Sequence, residues 1–153
     1  MTIRSVYLKV IFNPDIFKET VAKTVAAAKH IKSVTDFDTI AFCGVSGSAM
    51  AFILAHELGV DLLCVRKKND GSHFLAFNEI PLEGNMAAKK YIIVDDMIVS
   101  GKTVSYIIES INTHLPNAKP VAMVMYTAYH NDTHCYPETR ELIPITATRP
   151  EGF

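Results

Sequence analysis

Short apolar runs alternate with helical stretches along the chain. Four mostly apolar runs are bounded by polar or turn residues, as strands buried on both faces are. They are residues 39–45 (TIAFCGV), 61–65 (DLLCV), 91–94 (YIIV) and 121–126 (VAMVMY). Strands that alternate with helices pair in parallel, so this pattern predicts a three-layer α/β domain with a mainly parallel central sheet.

The predicted helices lie between these runs. Apolar residues recur at helical spacing from Pro14 to about Lys32, with Asn13 placed to cap the first turn. A second helix covers residues 49–59, and a third covers residues 104–115. Residues 69–85 are polar and turn-rich, which predicts a loop with a hairpin and a short strand at 73–77. No structure is predicted for residues 129–153.

Polar residues cluster where the predicted strands end. In open parallel sheets, ligands bind outside the carboxyl ends of the strands. The pattern therefore directs the search for chemistry to residues 44–48, 66–68 and 95–103.

Asp95 and Asp96 directly follow the third strand. Burying two adjacent carboxylates without partners costs several kcal/mol each. We therefore expect both at the carboxyl end of the strand, facing water, hydroxyls or a cation. Ser100, Gly101 and Thr103 come next and precede a helix, whose free amides and dipole favour a phosphate. Carboxylates can bind the hydroxyl groups of a sugar, and backbone amides can bind a phosphate. This segment therefore suits a sugar phosphate.

Three other interpretations would account for parts of this segment. A nucleoside triphosphate P-loop would need glycine where the chain has Asp96. A phospho-receiver domain carries its acidic pair on the first strand, whereas this pair falls late in the chain. A capped strand-to-helix turn without a ligand remains the plain alternative.

Residues 91–103 (YIIVDDMIVSGKT) resemble the phosphoribosyl-diphosphate binding signature of type I phosphoribosyltransferases. Every position fits: four apolar residues, two acids, two apolar residues, a variable position, Ser or Thr, Gly, any residue, then Thr. The resemblance implies that Asp95 and Asp96 are the catalytic, ribose-binding carboxylates. It implies that the 5'-phosphate is held by Val99, Ser100, Gly101, Lys102 and Thr103.

Two further segments are similar to the same family. Residues 44–48 (GVSGS) lie where the family has its pyrophosphate loop, and residues 66–68 (RKK) resemble a basic run of adenine and orotate members. The resemblance implies pyrophosphate contacts by Ser46, Gly47, Arg66 and Lys67. Taken alone, these segments would be a tight strand-to-helix turn and a solvated charge cluster.

The resemblance implies an enzyme of nucleotide salvage. It would transfer ribose 5-phosphate from phosphoribosyl diphosphate to a purine or pyrimidine base and release pyrophosphate. Mg²⁺ would be held through the substrate, with Asp95 and Asp96 as the protein groups near it, and residues 69–85 would close over the site. Members acting on 6-oxopurines usually carry Asp where this chain has Val99. The resemblance therefore does not identify which base accepts the ribose 5-phosphate. The alternative is a non-catalytic protein that binds phosphoribosyl diphosphate or a nucleotide and regulates a partner.

Composition narrows the setting. A chain of 153 residues with 49% hydrophobic residues suits one domain, with a core at about 38–128 and a small hood from about 1–15 and 129–153. A formal net charge of -1 argues against nucleic-acid binding. Three scattered cysteines and no long apolar run predict a cytoplasmic protein without a membrane span. Dimers are common in the family, so a homodimer is compatible with the resemblance.

Overall fold

A computed structural model describes residues 8–67, 80–128, 133–135 and 142–148. The helices are α1 (Lys9–Phe12), α2 (Pro14–Val34), α3 (Gly44–Leu58) and α4 (Lys102–His114). The strands are β1 (Thr39–Cys43), β2 (Asp61–Val65), β3 (Leu82–Gly84), β4 (Lys90–Met97), β5 (Lys119–Ala128), β6 (Thr133–Cys135) and β7 (Leu142–Ala147). Within these residues, no helix is long and apolar enough to cross a membrane.

The described strands form one sheet in the order β3-β2-β1-β4-β5-β7-β6. The strands from β2 to β7 in this order all pair in parallel, whereas β3 and β6 add antiparallel pairs at the two edges. The three-layer fold with a mainly parallel central sheet is thus confirmed. Parallel pairing brings the carboxyl ends of β1, β2, β4 and β5 to one edge of the sheet.

Apolar side chains cover both faces of the sheet. On one face, α2 and α3 pack against alternate residues of the central strands, among them Ile40, Ile92 and Val124. On the other face, α4 packs Ile107 and Ile111 against the intervening residues. Each central strand is therefore buried on both faces, which is why its sequence is almost continuously apolar.

The predicted helix starts and stops are present in two cases. Asn13 Oδ1 accepts hydrogen bonds from the N–H groups of Asp15 and Ile16 at 3.1 and 3.2 Å and so caps α2. Helix α3 ends at Leu58 and is followed by Gly59, whose φ of 61° places it in the left-handed region.

Two predicted boundaries are wrong. Strand β1 ends at Cys43, because Gly44 adopts a φ of 70° and turns the chain directly into α3. Residues 44–48 therefore form the start of α3 instead of a loop ahead of it. Strand β4 continues to Met97, so Asp95 and Asp96 lie within the strand and do not follow it.

Several elements were not predicted. Helix α1 and strands β6 and β7 come from segments for which no structure was predicted, and β7 adds a parallel strand beside β5. Strand β3 pairs with β2 through Gly84, where a Cβ would lie 2.1 Å from the Leu62 carbonyl oxygen. The predicted strand at 73–77 and most of the predicted hood and lid lie outside the described residues.

Candidate functional site

A cavity of about 340 Å³ opens at the carboxyl ends of β1 and β4. Its polar lining comes from three segments: Ser46 at the start of α3, Lys67 just after β2, and residues 95–103 between β4 and α4. These are the three segments that the sequence indicated. Leu8 adds an apolar contact that the sequence did not indicate.

The two carboxylates are buried at the base of this cavity. Asp95 is 4% exposed and Asp96 is 6% exposed. Of the surroundings expected for the pair, which were water, hydroxyls or a cation, a hydroxyl is the one found at Asp95. The Ser46 hydroxyl donates to Asp95 Oδ1 at 2.7 Å, and the Asp96 N–H donates to the same oxygen at 2.9 Å. The Met97 N–H donates to Asp96 Oδ1 at 2.9 Å. Hydroxyl and amide donors therefore replace water, which makes the burial tolerable.

Burial away from water raises the pKa of Asp95 to about 7. The hydrogen bond from Ser46 opposes this shift in the pKa, whereas the nearby charge of Asp96 adds to it. The folded protein therefore binds the Asp95 proton more tightly than an ordinary exposed carboxyl does. A cation or hydroxyl donors arriving in the cavity would favour the ionised form.

This pKa predicts how the stability of the ligand-free protein varies with pH. The native state holds the Asp95 proton more tightly than the unfolded chain, whose ordinary pKa is 3.8. Stability from this group is therefore present at low pH and is lost as the pH rises through the folded pKa. Between about pH 6 and pH 8 we expect the free energy of unfolding to fall by on the order of 1 kcal/mol. Denaturant unfolding of the wild type and of Asp95→Asn checks this, since the variant should lose that part of the pH dependence. An equal slope in both proteins would contradict the assignment.

Two hydroxyl groups of β5 bond the backbone next to the carboxylate pair. The Tyr126 hydroxyl donates to the Ser46 carbonyl oxygen at 2.6 Å, and the Thr127 hydroxyl donates to the Asp96 carbonyl oxygen at 2.7 Å. Burial, with the charges of Asp96 and Asp95, raises the pKa of Tyr126, so its hydroxyl stays a donor. These two hydrogen bonds were not predicted from the sequence. The signal available for them was the pair of hydroxyl-bearing residues at the end of a strand.

The turn from β4 into α4 presents the predicted phosphate-binding residues. Gly101 caps α4 in the left-handed region with a φ of 74°, a conformation that glycine adopts without strain. Ser100, Lys102 and Thr103 are exposed and line the cavity, as does Val99, whose side chain is 78% exposed. The first amides of a helix have no partner within it, so this turn can receive an anion.

Of the basic residues, Lys67 is brought to the cavity and Arg66 is not. A Cβ on Gly44 would lie 3.2 Å from Lys67 Cε and 3.3 Å from Nζ, so the lysine passes closely over the start of α3. The Arg66 guanidinium lies outside the lining and pairs with Glu83 at 2.7 Å. Lys68 lies outside the described residues.

Gly47 is buried against the sheet and is not part of the cavity lining. A Cβ at this position would lie 3.0 Å from both Phe42 Cβ and the Val94 carbonyl oxygen. The glycine thus allows the first turn of α3 to pack closely on β1 and β4. The structure thus gives Gly47 a packing role, and its expected pyrophosphate contact stays a prediction.

We expect Gly47→Ala to destabilise the protein by on the order of 1 kcal/mol, because the added methyl meets central strands that cannot move easily. Denaturant unfolding measures the effect, and Ser48→Ala on the same turn serves as the control. A Gly47→Ala protein as stable as the control would show that α3 does not need this close approach.

The carboxylate pair supplies part of what a magnesium ion needs. Within the described ranges, no three side chains of the metal-ligating types come together. Mg²⁺ commonly uses one or two carboxylates and completes its shell with water and substrate phosphates. Asp95 and Asp96 fit that limited protein contribution through the chemistry of their oxygens.

Sequence comparisons give one distant relative. No family model matches the sequence. A transcriptional regulator, GfcR of Methanosarcina mazei, is 29% identical over 97 residues, covering 61% of this chain and 47% of that protein. The chain thus spans about half the length of the curated relative it matches.

Solved structures are similar over most of this chain. Leishmania donovani UMP synthase has a TM-score of 0.66 at 17% identity, over 96% of this chain and 31% of that one. Adenine phosphoribosyltransferase from Saccharomyces cerevisiae has a TM-score of 0.63 at 19% identity, over 90% and 81% of the two chains. Orotate phosphoribosyltransferase from Aeropyrum pernix has a TM-score of 0.62 at 12% identity, over 90% and 73%. The fold is that of type I phosphoribosyltransferases.

Proposed function

We propose that this chain is a phosphoribosyltransferase, which transfers ribose 5-phosphate from phosphoribosyl diphosphate to a ring nitrogen of a purine or pyrimidine base. One observation carries the proposal. A buried carboxylate pair, a helix-capping turn and a lysine all line the same cavity. These groups match the hydroxyls, the 5'-phosphate and the diphosphate of one ligand.

Asp95 and Asp96 would bind the ribose. Ionised carboxylates are acceptors only, and two neighbouring hydroxyls of a ribose are the donors that suit them. Hydrogen bonds to charged groups are stronger than neutral ones, especially where water is excluded. Since both residues are fixed by backbone amides, they would meet the ligand without reorganising.

The 5'-phosphate would bind at residues 99–103. The amides of the turn and of the first residues of α4 supply N–H donors, and the positive end of the helix dipole favours an anion. The hydroxyls of Ser100 and Thr103 and the charge of Lys102 add to this site. Phosphate and ribose groups would thus be held by consecutive segments of the chain.

Lys67 would neutralise the departing diphosphate. As the bond to the diphosphate breaks, positive charge develops on the ribose and negative charge on the leaving group, so cation contacts to the latter lower the barrier. Arg66 could join only by exchanging its ion pair with Glu83. Bound Mg²⁺ would supply further charge neutralisation next to Asp95 and Asp96. Residues 68–79, which make up most of the segment expected to close over the site, lie outside the described residues.

The test of this function is pyrophosphate release from phosphoribosyl diphosphate and Mg²⁺ with a panel of purine and pyrimidine bases. We expect release that depends on one base of the panel. Absence of release with every base would contradict the transferase.

A second candidate is a regulator that binds the same ligand without turnover. The match to a transcriptional regulator favours it, as does Val99 at the position where 6-oxopurine enzymes usually carry an acid. Micromolar binding of phosphoribosyl diphosphate without pyrophosphate release would support this candidate over the enzyme.

A further inference from the structure

Ser46 joins two parts of the site that lie far apart in the sequence. It belongs to the first turn of α3, the segment expected to meet the diphosphate. Its hydroxyl donates to Oδ1 of Asp95, 49 positions along the chain, at 2.7 Å. The residue therefore lies between the diphosphate segment and the ribose carboxylates.

A serine hydroxyl has one proton to donate. The oxygens of a diphosphate are acceptors, so a serine binds them through that proton. Since the proton of Ser46 is directed at Asp95, the hydroxyl offers a diphosphate only its lone pairs. The contact to Asp95 and a contact to diphosphate are thus mutually exclusive.

The backbone of Ser46 is held in place independently. Its carbonyl oxygen accepts from the Tyr126 hydroxyl at 2.6 Å, and the tyrosine side chain is fully buried. The next residue, Gly47, packs so closely that a Cβ would be 3.0 Å from the Val94 carbonyl oxygen. The first turn of α3 is therefore fixed at the distance from β4 that the bond to Asp95 needs.

We propose that Ser46 is a positioning residue, whose hydroxyl orients the Asp95 carboxylate for the ribose hydroxyls and does not bind the diphosphate. This assignment rests on the proposed function, because it assumes that the cavity takes a ribose phosphate. It replaces the pyrophosphate contact that the family resemblance implies for Ser46.

The test is calorimetric binding of two separate probes, ribose 5-phosphate and inorganic diphosphate with Mg²⁺. For Ser46→Ala we expect the affinity for ribose 5-phosphate to fall about tenfold, while the affinity for diphosphate stays within about twofold. Ser46→Thr keeps the hydroxyl and should restore ribose 5-phosphate binding. Ser48→Ala is the matched control, since Ser48 donates to the Val45 carbonyl oxygen within the same turn.

Several outcomes would overturn the assignment. A loss confined to diphosphate would make Ser46 a direct diphosphate ligand, and equal losses for both probes, or no loss, would also refute positioning. If Ser46→Ala fails to fold, Ser46→Cys is used instead, because its thiol has a similar shape but donates only weakly. We expect Ser46→Cys likewise to lose affinity for ribose 5-phosphate and to keep its affinity for diphosphate. A wild-type protein that binds neither probe would overturn the proposed function, and this assignment with it.

Discussion

Asp95→Asn is expected to weaken the binding of phosphoribosyl diphosphate about 50-fold at a pH where Asp95 is ionised. Asn keeps the oxygen that accepts from Ser46 and from the Asp96 N–H, so the fold loses neither bond. The substitution removes the charge and turns the second oxygen into a donor, which opposes a ribose hydroxyl or a cation. Calorimetric titration with Mg²⁺ present measures the change.

Two comparisons separate ligand binding from stability. Because Asn removes a buried charge, the thermal midpoint of Asp95→Asn near pH 8 should not fall below that of the wild type. Asp61→Asn, an exposed acid at the amino end of β2, should leave binding unchanged. Unaltered binding by Asp95→Asn would remove the carboxylate from the ribose site.

Lys67→Ala is expected to weaken the binding of phosphoribosyl diphosphate about 20-fold and that of ribose 5-phosphate by less than about threefold. Only the first ligand carries the diphosphate that the lysine would contact. The side chain lies over Gly44 and lines the cavity, so its removal takes away a cation without disturbing the core. Calorimetric titration with each ligand measures the two losses of affinity, and the ratio of these losses tests the prediction.

Arg66→Ala is the matched control for this prediction. It removes an equal charge from the neighbouring position, but its guanidinium pairs with Glu83 outside the cavity. We expect it to change the affinity for phosphoribosyl diphosphate by less than about threefold. Equal losses of both ligands in Lys67→Ala, or a loss as large in Arg66→Ala, would indicate a general field effect instead of a contact.

Local patterns were sufficient for the core of the fold. Strand β2 and helix α2 were predicted closely, because their apolar spacing and the Asn13 cap act over a few neighbouring residues. The same holds for Asp95, Asp96 and the turn to Thr103, which are consecutive in the chain. Their place in one cavity with Lys67 follows from parallel strand order, which the alternation of elements already indicates.

The errors come from contacts between distant residues. The burial of the Asp95 carboxylate depends on the Ser46 hydroxyl, and the Thr127 hydroxyl bonds the backbone of Asp96. Nothing in the local sequence of β4 reveals these partners. The close packing of Gly47 against Val94 was not predicted, because a one-dimensional pattern does not show which residues of different elements meet. Strand β7 was missed for a related reason, since a six-residue segment that includes Pro144 becomes a strand only through its pairing with β5.

A crystal structure with phosphoribosyl diphosphate and Mg²⁺ tests the central assignment most directly. We expect ribose hydroxyls on the carboxylates of Asp95 and Asp96, the 5'-phosphate on the amides of residues 99–103, and the diphosphate beside Lys67. Ligand bound away from this cavity, or bound in it with the ribose turned away from both carboxylates, would contradict the account.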